Sequence, residues 1–573
     1  MGMCLNFPLS QIPTPSTLPG SLATSLSNLD LQRQSPVVTE AVHERDEESW
    51  SDIETRIRAV LAKLSSVPEH RIRRSTTIYQ LGLDSINAVQ IASLLRKQGM
   101  PISAGDVIEQ KTCANLAGMA ATPGDGIDPP ASYDFTGYMR RAEAQLGQHG
   151  ISKASVDTIL PCTPLQAGMI VQFIRSKGHD YFNFIDLLLD KDIDLQALSK
   201  AWAEISRSHV ILRTGFIPVD DADFSFAMVQ YNASVERESV LLVDSKTASQ
   251  WSVEKWRQDV ADEVLNDLQI PPWRVACVDD DAGPMMHLAI HHALYDAQSL
   301  QVMTEDLARV LRGESLALSP ASETVVKDIV SQAFETHKQE AFWKEQSDKV
   351  VINHFPTLTP LRVDLRTMVV ESMVSKHKFT NIEKSLGALG FTVQAALQAA
   401  WTRILSSYLG ESSVTFGVVL SGRNSEATQD AVFPSISTVP VISSNKSSNR
   451  ELLQAMLEYS GHLYQSQHIP LNKIQRWLRY PEGGLFDTLL VYQKLALSSR
   501  ASLPWKVVDD RGTVDYPVSI EVEPSLDDAL VYRITSFGNV VPQEHARLLL
   551  EQFDAVLCDL ALRPEGHEDD LYM

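Results

Sequence analysis

A run of mostly apolar residues, Met286-His287-Leu288-Ala289-Ile290, leads straight into His291-His292, and Asp296 follows four positions after the second histidine. An unperturbed imidazole titrates near neutral pH, so a histidine at a strand end is suited to giving or taking a proton. Side chains alternate across a strand. His291 and His292 must therefore point to opposite faces, one available for chemistry and the other structural. Far upstream, Leu81-Gly82-Leu83-Asp84-Ser85 delivers a serine to the start of a helix. A hydroxyl there is open to modification, and a phosphate added to it lies near the positive helix end.

Each string has a plainer alternative. The histidines would be core side chains satisfied by local hydrogen bonds, and Ser85 an ordinary helix cap. A metal site is not supported: there is no third ligand at a recognisable spacing, no H-E-x-x-H and no paired cysteines. The five cysteines (Cys4, Cys113, Cys162, Cys277 and Cys558) are scattered and read as reduced thiols of a cytoplasmic protein. A formal charge of -22 repels phosphate backbones, which argues against nucleic acid. No apolar run is long enough for a membrane helix, and with Arg33 as the first basic residue no positively charged leader segment is expected. Phosphate loops and a G-x-S-x-G nucleophile turn are also missing, so the chain is expected neither to activate a substrate with nucleotide nor to hydrolyse a thioester.

The elements that would position these residues can be laid out along the 573 residues. Residues 1–45, rich in proline and serine, are expected to be disordered. Ser51-Asp52-Ile53-Glu54 is a capping box that opens a helix with apolar residues at 53, 57, 60, 61 and 64. A second helix starts at or just after Ser85 and ends near Gly99 and Pro101. Further helical residues near 103–120 complete a small all-α unit over 46–121. The turn-rich string Thr122-Pro123-Gly124-Asp125-Gly126 opens a linker expected over 122–155. From 156 onward short β-branched runs alternate with helices in an α/β pattern. Two lobes are expected, at 156–345 and 346–565, with a tail at 566–573.

The two strings gain meaning together. Leu81-Gly82-Leu83-Asp84-Ser85 resembles the LGxDS site of carrier (thiolation) domains, and His291-His292-Ala293-Leu294-Tyr295-Asp296 resembles the HHxxxDG motif of the condensation domains of nonribosomal peptide synthetases. Other segments fall in the same order as in that family. Leu160 to Met169 resembles its opening motif and His209 to Phe216 its RHExLRTxF segment. Val414 to Arg423 is similar to the strand and loop that bridge its lobes, Phe433 to Pro440 to GPFxNTxP, and Leu485 to Val491 to PLFDxxxV. The resemblance covers roughly 50–120 and 156–562.

It implies a four-helix carrier bearing 4'-phosphopantetheine on Ser85, followed by two chloramphenicol-acetyltransferase-like lobes in a V. The implied catalytic motif is His292 with His291 and Asp296, and Arg213 is the implied ion-pair partner of Asp296. A phosphopantetheinyl transferase, other synthetase modules and their carriers, and aminoacyl or peptidyl thioesters are the implied partners; no metal, nucleic acid or membrane is expected. Condensation would form an amide, or an ester with a hydroxyl acceptor, by elongation or by terminal cyclisation.

Ala297, Ser208 and Ser437 depart from the family pattern, where glycine, arginine and asparagine are usual. These departures resemble fungal synthetases, including ferrichrome-type siderophore enzymes. Three rivals differ in specific residues. An epimerisation domain would read HHxxxDxxSW, whereas Leu300 follows Ser299 here; a stand-alone acyltransferase would not need Ser85; a non-catalytic docking scaffold would lack His292.

Overall fold

The computed structural model describes residues 50–568 apart from short internal stretches, the longest being 122–133, 359–366 and 495–502. The disorder expected for 1–45 concerns residues outside the described ones.

The helical unit forms as its capping signals dictate. Ser51 N–H donates to Glu54 Oε2 at 2.8 Å and Glu54 N–H to Ser51 Oγ at 3.2 Å, which starts the helix Asp52–Ser65. That helix buries Ile57, Val60 and Leu61 against the helices Ser85–Lys97, Ala104–Gln110 and Cys113–Ala121. A second capping box, Ser103 with Asp106, begins the third helix. The unit does not stand apart, because its core is continuous with that of the second lobe. Ser93 Oγ donates to the Glu426 carboxylate of that lobe, and a Cβ added to Gly387 would come 3.4 Å from the Tyr79 carbonyl.

The segment expected as a linker is a linker only in part. Thr136–Gln145 is a helix, and Phe135, Tyr138, Ala142 and Leu146 are buried in the first lobe's core. Tyr138 stacks edge-on to Phe224 at 5.1 Å. Apolar side chains at 135, 138 and 142 follow the helical repeat, and burying them outweighs the pull of the turn-rich residues just upstream.

The first lobe holds two sheets. β1 (Val156–Pro161), β3 (Thr214–Pro218) and β4 (Phe226–Tyr231) pair in the order β1-β4-β3. The larger sheet contains β2 (Phe182–Leu189), β5 (Val240–Val243), β6 (Trp273–Asp280) and β7 (Gly283–His291). Its order is β12-β2-β7-β6-β5, so its edge strand, β12 (Trp505–Arg511), comes from the far end of the chain. The second lobe is built on β8 (Met368–Lys378), β9 (Ser413–Leu420), β10 (Ser437–Ser444), β11 (Thr488–Tyr492), β13 (Val518–Pro524) and β14 (Ala529–Phe537), ordered β10-β9-β11-β13-β14-β8. The helices Val393–Leu409 and Gln543–Leu562 cover one face of this sheet.

Three expected boundaries change. Trp343, on the helix His337–Gln346, is buried in the second lobe's core, so that lobe starts before 346. β12 leaves the second lobe and pairs antiparallel with β2, Trp505 opposite Leu189 and Arg511 opposite Phe184, which ties the lobes through backbone hydrogen bonds. The described residues of the expected tail, 566–568, are also held: Glu568 N–H donates to the Ser447 carbonyl at 2.8 Å and Asn449 N–H to the Gly566 carbonyl at 3.0 Å. A strand-edge N–H or C=O left unpaired in a buried seam is costly, which favours both additions.

Candidate active site

β7 ends at His291, and His292 begins a 3-10 turn. Alternation along β7 sends Leu288 and Ile290 into the main core of the first lobe, and His287, Ala289 and His291 toward the helix Val253–Asn266 on the other side. His291 is fully buried with Phe173, whose ring is 4.8 Å away and perpendicular. Its Nδ1 accepts from Ala293 N–H at 3.0 Å, so this ring fixes the turn. Burial, with the neighbouring His292, pushes its pKa down to about 3. The geometry therefore corrects the inclusion of His291 among the catalytic residues: its ring lies in an apolar layer and stays neutral.

His292 is held from several sides. Its N–H donates to the Tyr181 carbonyl at 2.8 Å, and Tyr181 adopts φ 64°, an unusual conformation for a side chain of that size. Its Nδ1 lies 2.8 Å from the Tyr295 carbonyl. A carbonyl only accepts, so Nδ1 carries the hydrogen and the lone pair of the neutral ring sits on Nε2. The Tyr295 ring stacks on the imidazole at 4.6 Å, and Asn183 Nδ2 donates to the Tyr295 hydroxyl at 2.7 Å. Gln166 Nε2 donates to the Ala293 carbonyl at 2.9 Å, which pins the same turn from the helix Pro164–Arg175.

Asp296 caps the helix Ala297–Leu311 in a reciprocal box with Ser299. Its arginine is not Arg213. Arg213 lies at the other end of the lobe's core, where it donates to the Ser206 carbonyl at 3.2 Å, to the Tyr231 carbonyl and to Asp157. Asp296 is instead gripped by Arg423 of the second lobe, whose Nη2 lies 2.8 and 2.9 Å from the two carboxylate oxygens. Arg423 Nη1 donates to the carbonyls of Thr428 and Ala431, Nη2 also lies 3.1 Å from the Phe433 carbonyl, and Ser435 N–H donates to Asp296 Oδ2 at 2.9 Å. The cap faces the seam between lobes, so its partner must come from across it. Arg423 closes the Val414 to Arg423 segment, the one sequence signal for its position.

Ser85 is the first residue of its helix, while Gly82 and Asp84 lie outside the described residues. A cavity lined by Tyr79 and Leu83, which flank that helix start, also touches Ser421 and Arg423. It adjoins a second cavity of about 700 Å³ at Gln467; Cys162 to Val171 line that one from the first lobe, Pro434 to Thr438 and His468 to Arg476 from the second. The first cavity thus touches both the carrier-like unit and Arg423, the residue that holds Asp296.

Two α/β lobes thus meet at the Asp296–Arg423 pair, with the histidine motif in the first and a helical unit packed on the second. Residues 156–573 match the condensation-domain family, and residues 55–120 match the phosphopantetheine attachment site. The chain belongs to the condensation-domain family of nonribosomal peptide synthetases, whose members form peptide bonds, and its helical unit is of the class that carries 4'-phosphopantetheine. It is 40% identical over 574 residues to nonribosomal peptide synthetase 2 of Gibberella zeae, covering 99% of this chain and 12% of that protein. It is 26% identical over 531 residues to the hydroxamate-type ferrichrome siderophore peptide synthetase of Schizosaccharomyces pombe, covering 88% of this chain and 10% of that one. Among solved structures, the condensation domain of the monacolin K polyketide synthase MokA aligns with a TM-score of 0.59 at 17% identity, over 72% of this chain and 99% of that one. Among the described residues no helix is long and apolar enough to cross a membrane.

Proposed function

We propose that this chain is one carrier-condensation unit of a longer synthetase, joining an acyl group held on the carrier to an incoming amine, with His292 as the proton acceptor. The observation that supports this most is the tautomer imposed on His292. The Tyr295 carbonyl takes Nδ1–H, so the basic lone pair lies on Nε2 of a ring clamped by stacking and by the Tyr181 carbonyl. General-base assistance of this kind contributes roughly 10²- to 10⁴-fold, and holding two reactants at one seam adds a positioning effect.

4'-Phosphopantetheine on Ser85 supplies the thioester that activates the acyl group. The start of the Ser85 helix and the cavity leading from Tyr79 and Leu83 to Arg423 fit such an arm. The chain's own residues then do three things. Ser85 accepts the arm from a phosphopantetheinyl transferase, Asp296 and Arg423 keep the lobes at a fixed opening, and His292 Nε2 takes the amine proton as the C–N bond forms and passes it to the thiol released when the thioester C–S bond breaks. Arg213 is proposed only to support the fold, through its carbonyl contacts. The name of one relative, a hydroxamate-type ferrichrome siderophore peptide synthetase, favours a siderophore pathway, and four buried free cysteines suit the cytoplasm.

The test uses the whole chain. Incubation with a phosphopantetheinyl transferase and a synthetic acyl-CoA should add one acyl-phosphopantetheine mass to the wild type and none to Ser85→Ala. Adding an amine acceptor should then give amide product. Loading without amide in the wild type, or equal amide from His292→Ala, would remove the catalytic reading.

A further inference from the structure

The second lobe's sheet has two very different faces. Val518, Ile520 and Val522 of β13 point into the core, as does Tyr532 of β14, which meets Phe553 of the helix Gln543–Leu562 at 5.7 Å. The alternate residues of the same strands carry polar groups. Ser519 pairs in register with Thr535, and Glu521 with Arg533. Gln493 follows β11, its N–H donating to the Val522 carbonyl at 2.9 Å, and by strand parity its side chain shares the Glu521 face.

These polar side chains are buried: Ser519 is 0% exposed, Glu521 4%, and Gln493 and Arg533 7% each. Yet Ser519 Oγ, Glu521 Oε2, both amide atoms of Gln493, and Nε and Nη1 of Arg533 have no hydrogen-bond partner among the described residues. Buried polar atoms are almost always satisfied, and leaving one without a partner is costly. Six on one sheet face call for something that satisfies them together.

A chain of contacts links the face to the histidine site. Arg533 Nη2 lies 3.4 Å from the Asp510 carbonyl on β12, and Asp510 is paired with Ile185 of β2. Two residues along β2 is Asn183, which holds the hydroxyl of the tyrosine stacked on His292.

We propose that this polar face is a substrate side-chain subsite of the condensation chamber, taking a side chain that ends in a neutral amide-like group. The inference rests on the proposed condensation activity for what binds there. The choice of group follows from the mixture of orphans. Arg533 and the Gln493 amide nitrogen offer donors, while Glu521, Ser519 and the Gln493 carbonyl offer acceptors. A hydrocarbon would leave all of them unpaired, an ammonium would face Arg533, and a carboxylate, which has no donor, would leave the acceptors unpaired. An amide presents one C=O and at least one N–H and carries no charge.

Equilibrium binding to the full chain by calorimetry tests this without turnover. The probes are three stable pantetheine amides carrying glutaminyl, homoleucyl or ornithyl groups, the second being the hydrocarbon isostere of the first. The glutaminyl compound should bind at least about tenfold tighter than either of the others. That preference should fall to about threefold or less in Arg533→Met and in Gln493→Leu. Equal or tighter binding of the homoleucyl or ornithyl compound, or an unchanged preference in both variants, overturns the subsite. If the variants unfold, the wild-type ranking decides alone. A glutaminyl preference in a protein that forms no amide would support the subsite while removing the catalytic reading.

Discussion

Two buried carboxylate–arginine pairs in this molecule use the same chemistry in different places. Asp186 on β2 is bound by Arg257 at 2.5 Å and by His287 Nδ1 at 2.8 Å, all within the first lobe and beside the rings of Trp251 and Trp256. Asp296 and Arg423 join one lobe to the other. Burying a charge pair gives little net stability, whereas removing one partner leaves an uncompensated charge at a cost of about 3–5 kcal/mol. Both pairs should therefore matter to the fold when broken, but only the second spans the seam at which we propose that His292 meets substrate.

Breaking the comparison at its chemical end should give the largest effect. His292→Ala is expected to lower amide formation about 100-fold or more while leaving the melting temperature nearly unchanged, as measured by turnover and calorimetry on the same samples. A large thermal loss would reassign the ring to structure. Asp296→Ala comes next, with about 3–5 kcal/mol lost in denaturant unfolding and a fall in turnover of the protein that remains folded. Full turnover in a destabilised Asp296→Ala would show that the interlobe pair does not set the opening.

Asp186→Ala should cost about 3 kcal/mol with normal turnover per folded molecule, the pattern of a pair confined to one lobe. A turnover defect matching that of Asp296→Ala would erase the distinction between the two pairs.

The smallest effect is in pH dependence, and it separates buried acids by sign. Burial raises the Asp186 pKa, but the hydrogen bonds from His287 and Arg257 outweigh it and the net shift is downward. Its stabilising contribution is complete above the ordinary aspartate range near ~4 and disappears as pH falls through the depressed value. Asp186→Asn should therefore flatten the acid limb of a melting-temperature profile. Glu521 is the opposite case, since burial lifts its pKa to about 8. The folded state holds that proton more tightly, so stability falls as pH rises from ~4.3 toward about 8. Glu521→Gln should be flatter over that window and gain most at pH 8.

Local chemistry made much of this legible in the residues alone. The capping box at Ser51, the helix start at Ser85 and the strand running into His291-His292 are short-range patterns, decided by dihedral preference and alternation. That the two histidines meet different surroundings was also readable, because strand parity needs only neighbours. A weaker signal was misread at 122–155, where turn-forming residues and a helical apolar repeat stand side by side and burial against Phe224 selects the helix.

What only the tertiary structure decided are the long-range pairings. No sequence period tells Asp296 to bond Arg423 in place of Arg213, since both arginines fall in recognisable segments and the choice depends on which side of the seam the cap faces. β12 likewise reads as one more strand of the second lobe until its edge is seen to complete the first lobe's sheet. The polar residues of β13 and β14 look like an ordinary solvated face in an alternating strand, and only the packing of the lobes shows that they are buried. Charge type and strand parity are written in the chain, but which surface a residue finally meets is set by how distant segments close on one another.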